Sequence, residues 1–519
     1  MPVRCGIDLG TTYSSISWFD PYNNRVDTID LETADGAKVL RSVVYYPGGG
    51  DPVVVGETAW NARQQCPERV IVGIKRSMGT DYKSPAIDGA EYTPPQVSAE
   101  ILKALARDAQ TYLGEEVKDV VITVPAYFGD KERAATMEAG QLAGLNVLAL
   151  LPEPHAAALA FAVDKVADIV DRYLLVYDLG GGTFDVTLIH ASTARDPGSP
   201  IDLKIDTLSK EGDAALGGLD WDRVLADVVA EKAMQTHNLD MWGDSKKEAL
   251  LLDVCEKAKR HLSRVAAVPV LVEAPDKQVE VTASEFEDRS RDLLLQTQLL
   301  IERVIKEADA QHHMGKDRIE VMLTGGSSKM PMVKKMIEGV MGRPPLQHRN
   351  PELLVTIGAA YWAHLLQAGS TVTVAVPQPG GGTQTQKVQV MPGGLTDTAT
   401  YAIGVEVLRP DVKGGYTSFN SVVMPAGSRY GDPFEKEFCT AEDGTTEISV
   451  ALYKGDSPDL PQCEHLMAVL ISGLPAGRPK GQRVKVRLGY DSNGIVKGSA
   501  LDVATNTQVE FEIDRSRVS

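Results

Sequence analysis

Two short segments, far apart in the chain, carry the same chemistry-bearing pattern. The first is Asp8-Leu9-Gly10-Thr11-Thr12-Tyr13, and the second is Asp178-Leu179-Gly180-Gly181-Gly182-Thr183. In each, an apolar run ends on an acid, a glycine turn follows, and threonine leads into a second strand-like run. Glycine lets backbone N–H groups close on phosphate oxygens, and threonine hydroxyls add donors. A carboxylate repels phosphate, so the acids suit a hydrated divalent cation or a polarised water. Asp185, inside the second strand-like run, is a third acid of this kind. One copy alone could be a plain turn. Two copies in corresponding positions of two α/β halves predict two phosphate-binding hairpins facing each other across a cleft. Neither GxxxxGK[ST] nor GxGxxG occurs, which sets aside a P-loop and a dinucleotide fold.

The elements that must hold these hairpins follow from periodicity. From Val3 to Leu366 strands and helices alternate, the mark of α/β architecture. Lys118–Pro125 and Arg172–Asp178 are short apolar runs suited to strands buried on both faces, and Ile319–Gly326 is more mixed. In the stretch 97–113, Val97, Ile101, Leu105, Ala109 and Tyr112 recur at helical spacing. Asp130 reads as the N-cap of another helix. At Gly369 the composition changes to a Thr/Val alternation followed by a Pro/Gly/Gln-rich tract, which reads as a linker over 369–393. Beyond it lie only strand-like runs joined by turns such as Glu442-Asp443-Gly444 and Ser492-Asn493-Gly494, predicting a small all-β sandwich over 394–519.

Bulk properties narrow the function. The chain has 519 residues, 43% of them hydrophobic, enough for two to four ordinary cores. With 53 basic and 71 acidic side chains the net charge is −18, which disfavours nucleic acid or an anionic membrane as the main partner. Five scattered cysteines and no metal-ligand spacing indicate reduced thiols. The first ten residues lack the pattern of a signal peptide. The richest apolar stretch, Val147 to Val163, is interrupted by Glu153, His155 and two prolines, so a soluble, cytoplasmic protein is expected.

The ordered motifs "GIDLGTTYS", "VVITVPAYFGDKERAATMEAGQLAGLNV", "EPHAAALAF", "VYDLGGGTFDV", "LGGLDWD", "CEKAKRHLS", "LTGGSSKMP" and "NPELLVTIGAA" make the chain closely resemble the heat-shock-protein-70 (DnaK-type) chaperones, on the actin-like ATPase fold. The resemblance covers nearly the whole chain. It implies a nucleotide-binding domain over 1–368 that binds ATP or ADP with magnesium and potassium. The phosphate grip falls on Gly10, Thr11, Thr12, Tyr13, Gly181, Gly182 and Thr183. Asp8, Asp178 and Asp185 would hold magnesium, mostly through water. Lys75 matches the lysine that orients the attacking water, and Glu153 the glutamate that helps place metal and water. These two, with Asp178, Thr183 and Asp185, form the implied catalytic set for slow hydrolysis without a covalent intermediate.

Glu256, Lys259, Arg260 and Ser263 share one helical face on spacing alone, which could equally be a solvated charged face. The resemblance assigns them to the nucleoside. Gly325, Gly326, Ser327 and Lys329 give a second close approach to the base, with Lys329 at a position where arginine is frequent and Glu352 in place of an aspartate. The β domain is similar to the family's peptide-binding sandwich, which puts Val405, Val407, Leu408, Phe438, Cys439, Ala441, Ile448 and Val450 in a cleft for extended apolar segments. A plain core role for half or more of these fits the pattern as well.

Four departures from the family pattern stand out. The chain ends at Ser519 where members continue into a helical lid, and its linker is not short and leucine-rich. Pro152 replaces an asparagine, and Ala149 occupies a position where many members carry a basic residue for the J-domain co-chaperone. The implied function is an ATP-dependent chaperone, a monomer whose partners are unfolded apolar polypeptide, a J-domain protein and a nucleotide-exchange factor. The alternatives are a nucleotide-regulated scaffold or sensor docking one folded partner, and a small-molecule kinase on the same fold.

Overall fold

The computed structural model describes residues 3–166, 171–194, 199–272, 277–346, 350–377, 383–391, 393–410, 415–491 and 494–513. Ser492 and Asn493 of one expected turn, residues 378–382 of the Pro/Gly-rich tract and the segment 514–519 lie outside these. The chain divides into two compact units, residues 1–127 with 135–394, and residues 128–134 with 395–519.

The first unit contains two sheets that repeat one topology. In the first lobe, β1 (Val3–Asp8), β2 (Tyr13–Asp20), β3 (Arg25–Thr28), β4 (Val117–Val124) and β5 (Asn146–Pro152) are ordered β3-β2-β1-β4-β5. In the second, β6 (Asp171–Leu179), β7 (Phe184–Ala194), β8 (Ile201–Asp213) and β9 (Ile319–Thr324) run in the order β9-β6-β7-β8. Each lobe therefore has an antiparallel hairpin, β1–β2 or β6–β7, with a parallel strand on the other side of its first member. Strands β4 and β6 match the expected continuous apolar runs to within a residue at each end.

Helix α1 (Pro94–Leu113) covers the first sheet, and its start is fixed locally. Pro94 takes the first turn, and the Thr93 N–H donates to Gln96 Oε1 at 2.9 Å. Gly114 ends it at φ +68, a conformation glycine adopts without cost. The helix Asp130–Leu142 begins at Asp130 itself, one residue earlier than an N-cap reading gives. Helices α2 (Glu153–Asp164), α3 (Gly218–His237), α4 (Ser245–Leu262) and α5 (Leu354–Leu365) complete the frame of the cleft.

Helix α2 packs on β6, β7 and β8, whereas α5 packs on β1, β2 and β3, and the two helices pack on each other. Their backbones nearly touch: a Cβ on Gly358 would lie 1.7 Å from the Ala156 carbonyl oxygen. A Cβ on Gly6 of β1 would lie 2.1 Å from the Ala360 nitrogen. Glycine is required at both places by close approach.

The stretch 369–393 is not a plain linker. Strands β10 (Val372–Pro377) and β11 (Thr383–Gln389) form a hairpin that extends the second sheet to β9-β6-β7-β8-β11-β10, and the first unit runs on to Gly394. The Thr/Val and Thr/Gln alternations are strand periodicity, and the Pro/Gly-rich residues lie between the two strands.

The second unit contains two four-stranded antiparallel sheets. Strands β12 (Ile403–Pro410), β13 (Tyr416–Met424), β14 (Phe434–Cys439), β15 (Ile448–Lys454), β16 (Glu464–Ile471), β17 (Arg483–Tyr490), β18 (Val496–Asp502) and β19 (Thr507–Glu512) form the orders β13-β12-β15-β16 and β14-β17-β18-β19. Both sheets contribute to one apolar core that includes Ile403, Leu452, Val486 and Val496, as a sandwich requires. Among the described residues no α-helix follows Leu365, and no helix is long and apolar enough to cross a membrane.

Candidate functional site

The tips of the two hairpins meet in a cleft of about 460 Å³. In the first, Asp8 ends β1 and stands opposite Ser15 of β2. In the second, Asp178 stands opposite Asp185 across β6 and β7. The turn glycines are dictated by contact. A Cβ on Gly10 would lie 2.1 Å from the Tyr13 carbonyl oxygen. A Cβ on Gly181 would lie 1.8 Å from Thr12 Oγ1, and one on Gly182 would lie 2.3 Å from Thr11 Cγ2. The threonines of one hairpin thus fill the space left by the glycines of the other.

Lys75 enters from a 3₁₀ turn, Ile74–Ser77, and Glu153 is the first residue of α2, set between Pro152 and Pro154. Both are buried, and Lys75 Nζ lies 2.6 Å from Glu153 Oε1. Burial disfavours the Lys75 ammonium, but the carboxylates of Glu153 and Asp8 outweigh it and hold the group charged. Burial, followed by the charge of Glu153, pushes Asp8 up to about 7, against the pull of Lys75 and of the Thr123 hydroxyl that donates to it at 3.1 Å. Asp178 is pushed up to about 8 by burial, Glu153 and Asp8, and Asp185 rises well above the carboxylate range for the same kind of reason.

Such a cluster is short of positive charge. Both carboxylate oxygens of Asp185 and the hydroxyl of Thr12 are buried without a hydrogen-bond partner. Oxygen-only donors with unmet capacity fit a hard cation such as magnesium or potassium. Among the described residues no group of three or more acidic, histidine or cysteine side chains stands close enough to hold a metal ion by itself.

The opposite wall comes from α4, whose start is capped by Asp244 accepting from the N–H groups of Lys246 and Lys247. Glu256, Lys259, Arg260 and Ser263 do line the cleft. Glu256 is largely occupied within the protein: its Oε2 lies 2.7 Å from Arg41 Nη1, and its Oε1 accepts from Arg260 at 2.6 Å and from the Tyr13 hydroxyl at 3.1 Å. Burial opposes the Glu256 carboxylate, but Arg41 and Arg260 hold it below its ordinary value. Arg41 in turn lies 4.1 Å over the Trp60 ring, whose other neighbour is Arg63 at 3.9 Å, while Trp60 Nε1 donates to Asp253 at 2.7 Å. Lys259 donates to the Gly218 carbonyl at 2.8 Å, and the Ser263 hydroxyl donates to the Lys259 carbonyl at 3.2 Å.

Gly325, Gly326, Ser327, Lys329 and Glu352 close the far end of the cleft. A Cβ on Gly325 would lie 2.4 Å from the Leu179 carbonyl oxygen, so this backbone passes directly behind the second hairpin. Lys329 and Glu352 stand 2.7 Å apart as an ion pair, without hydrogen-bond geometry at the carboxylate. Two expected residues stand behind the lining. They are Asp185, buried within β7, and Gly182, whose carbonyl accepts from Arg76 Nε at 2.7 Å. Arg41, Trp60 and Arg76 are participants that no motif announces, because their partners lie far away in the chain and in different elements.

In the second unit the expected cleft residues differ in burial along their strands. Val405 and Val450, each 4% exposed, belong to the sandwich core, in keeping with the core role that the pattern also allowed. Strand alternation turns them inward, where they pair with other core strands. Val407, Phe438 and Ile448 are half-buried against the same core. Leu408 is 50% exposed, Cys439 is exposed and Ala441 is half-exposed, so these remain available.

Comparison with known proteins accounts for both units at once. The profile of the family "Hsp70 protein" matches residues 4–519. The chaperone protein DnaK of Thermotoga neapolitana is 37% identical over 513 residues, covering 97% of this chain and 79% of the relative, and that of Thermotoga maritima gives the same figures. The DnaK of Thermosipho africanus is 37% identical over 512 residues, covering 97% of this chain and 78% of its own. Paired acid-glycine hairpins in duplicated lobes, followed by a β-sandwich and matched from end to end, place this chain in the Hsp70 family.

Proposed function

We infer that the chain is an ATP-dependent chaperone: a slow, magnesium-dependent ATPase whose nucleotide state sets the affinity of the β-sandwich for exposed apolar polypeptide. The observation that carries this reading is the buried Lys75–Glu153 pair, set among three acids beneath two interlocked glycine turns. In this reading Thr11, Thr12, Thr183 and the backbone N–H groups of both turns hold the phosphates. Asp8, Asp178 and Asp185 would hold magnesium, mostly through water, and the same acidic cluster would accept potassium. The cation supplies charge neutralisation at the transferred phosphoryl group.

Lys75, fixed by Glu153, points a single positive charge at the place where charge develops and orients the attacking water. No side chain forms a covalent bond, so the gain comes from positioning and electrostatics. Leu408, Phe438 and Ile448 offer the sandwich's accessible apolar surface to an extended segment, and a J-domain protein and an exchange factor are the expected co-chaperones.

Single-turnover hydrolysis of ATP by Lys75→Met is expected to fall by roughly 100-fold with nucleotide binding retained. An unchanged rate would remove Lys75 from the chemistry. Release of a leucine-rich fluorescent peptide is expected to be faster in Mg-ATP than in Mg-ADP. Equal rates with measurable binding would favour the scaffold reading, in which the sandwich docks one folded partner.

A further inference from the structure

The hairpin β10–β11 belongs to the sheet of the second lobe, yet the first lobe grips it. Strand β10 is the edge of that sheet, and an edge leaves backbone N–H and C=O groups unpaired. At Thr373 both are taken by one side chain. The Thr373 N–H donates to Asn24 Oδ1 at 2.8 Å, and Asn24 Nδ2 donates to the Thr373 carbonyl. A carboxamide offers one acceptor and two donors, so it pairs with a strand residue as a neighbouring strand would. Asn24 ends the turn between β2 and β3 at φ +51, a left-handed conformation that asparagine tolerates.

The grip lies far from the cleft. Strand β2 begins at Tyr13 beside the first glycine turn and ends at Asp20, so the Asn24 turn sits at the other end of the strand, about 25 Å away at ~3.3 Å per residue. In the second lobe, β11 pairs with the start of β8, Ile201 with Val388 and Asp202 with Gln389, at the end remote from Asp213. Beneath the grip, Val372 and Val388 face each other across the hairpin and are buried. The Thr371 carbonyl lies 3.3 Å from His364 Nε2, and the His364 ring stacks 4.1 Å from Phe19 of β2. Strand β10 also packs on α2, the helix that begins with Glu153.

We propose that this hairpin is a strap between the lobes: one piece with the sheet of the second, tied to the first through Asn24, it resists the lobe separation by which a bound nucleotide leaves. The proposal rests on the nucleotide reading of the cleft. Two hydrogen bonds of opposite sense fix both the distance and the register of β10 against the β2–β3 turn. A lobe movement that shifts β10 against the β2–β3 turn as the cleft opens stretches or slides this contact.

The test uses the full chain and Asn24→Gly, which keeps the left-handed backbone and removes only the carboxamide. Two quantities are read: hydrogen exchange of the Thr373 amide without nucleotide, and stopped-flow release of methylanthraniloyl-ADP. Thr373 is expected to lose protection, and release is expected to quicken about fivefold, the order of one net hydrogen bond. Unchanged exchange at Thr373 overturns the grip. Lost protection with an unchanged release rate overturns the strap. If the unsubstituted chain fails to bind the labelled ADP, the nucleotide reading falls and the strap's role falls with it, while the exchange measurement still reports the grip by itself.

Discussion

Opposite Asp8 in the first hairpin stands Ser15, whereas opposite Asp178 in the second stands another acid, Asp185. The first turn carries side chains, Thr11, Thr12 and Tyr13; the second is bare backbone, Gly180, Gly181 and Gly182. One topology, used twice, has been divided into complementary parts. The first hairpin supplies more hydroxyl donors, and the second more bare backbone and one acid more. The two are also tied differently. Tyr13 is held by the buried Arg41–Glu256 pair together with the exposed Arg260, and the second turn by the half-buried Arg76, which bonds the Gly182 carbonyl and pairs with Asp220 at 2.5 Å. A duplicated motif therefore need not contain two equivalent half-sites.

The strongest way to break this complementarity is Gly181→Ala, whose new Cβ would collide with Thr12 Oγ1. ATP affinity, measured by calorimetry, is expected to weaken by roughly 10- to 100-fold, the scale of overpacking a tight contact. Adding Thr12→Gly should return part of it. No recovery in the double variant would mean that the two turns do not share that space.

The asymmetry in acids is sharpened by pH. Asp8, Asp178 and Asp185 are all raised, so without a cation they retain protons up to about 7 and about 8 for the first two. A cation requires the carboxylates, so its binding expels protons, and affinity must rise as pH rises through these values. Mg-ATP affinity is expected to gain about tenfold between about pH 6 and pH 8. Calorimetry in buffers of different ionisation enthalpy should show proton release. Asp185→Asn should flatten this slope more than Ser15→Ala, and equal slopes would erase the distinction between the hairpins.

The smallest expected effect compares the two ties. Arg41→Met leaves a buried Glu256 short of a partner and should quicken ADP release roughly fivefold. Arg76→Met, at a more exposed pair, should change it about twofold. A larger effect at Arg76 would reverse the order of importance.

What could be read from the sequence was what depends on neighbours in the chain. The hairpins were legible because acid, glycine and threonine act through adjacent backbone, and the buried strands because both their faces are apolar. Lys75 and Glu153 had no local signal and came from family resemblance. Their 2.6 Å contact joins a 3₁₀ turn to a distant helix. Arg41 and Trp60 were invisible for the same reason. The β10–β11 hairpin was taken for a linker because Pro/Gly/Gln composition outweighed its two-residue alternation. Val405 and Val450 share a strand face with Val407 and Ile448, and period alone does not say how far along a strand the cover of a second sheet extends.

The seam between α2 and α5 carries a mechanical consequence. Where these helices meet, Gly358 lies directly against the Ala156 carbonyl, so no side chain stands between the two backbones at that point. Glycine and alanine have no rotamers to exchange. A contact made there by backbone and methyl groups can slide by a small shear with few rotamer changes. Lobe motion past this point then meets its resistance in polar ties such as Arg41–Glu256 and Asn24–Thr373.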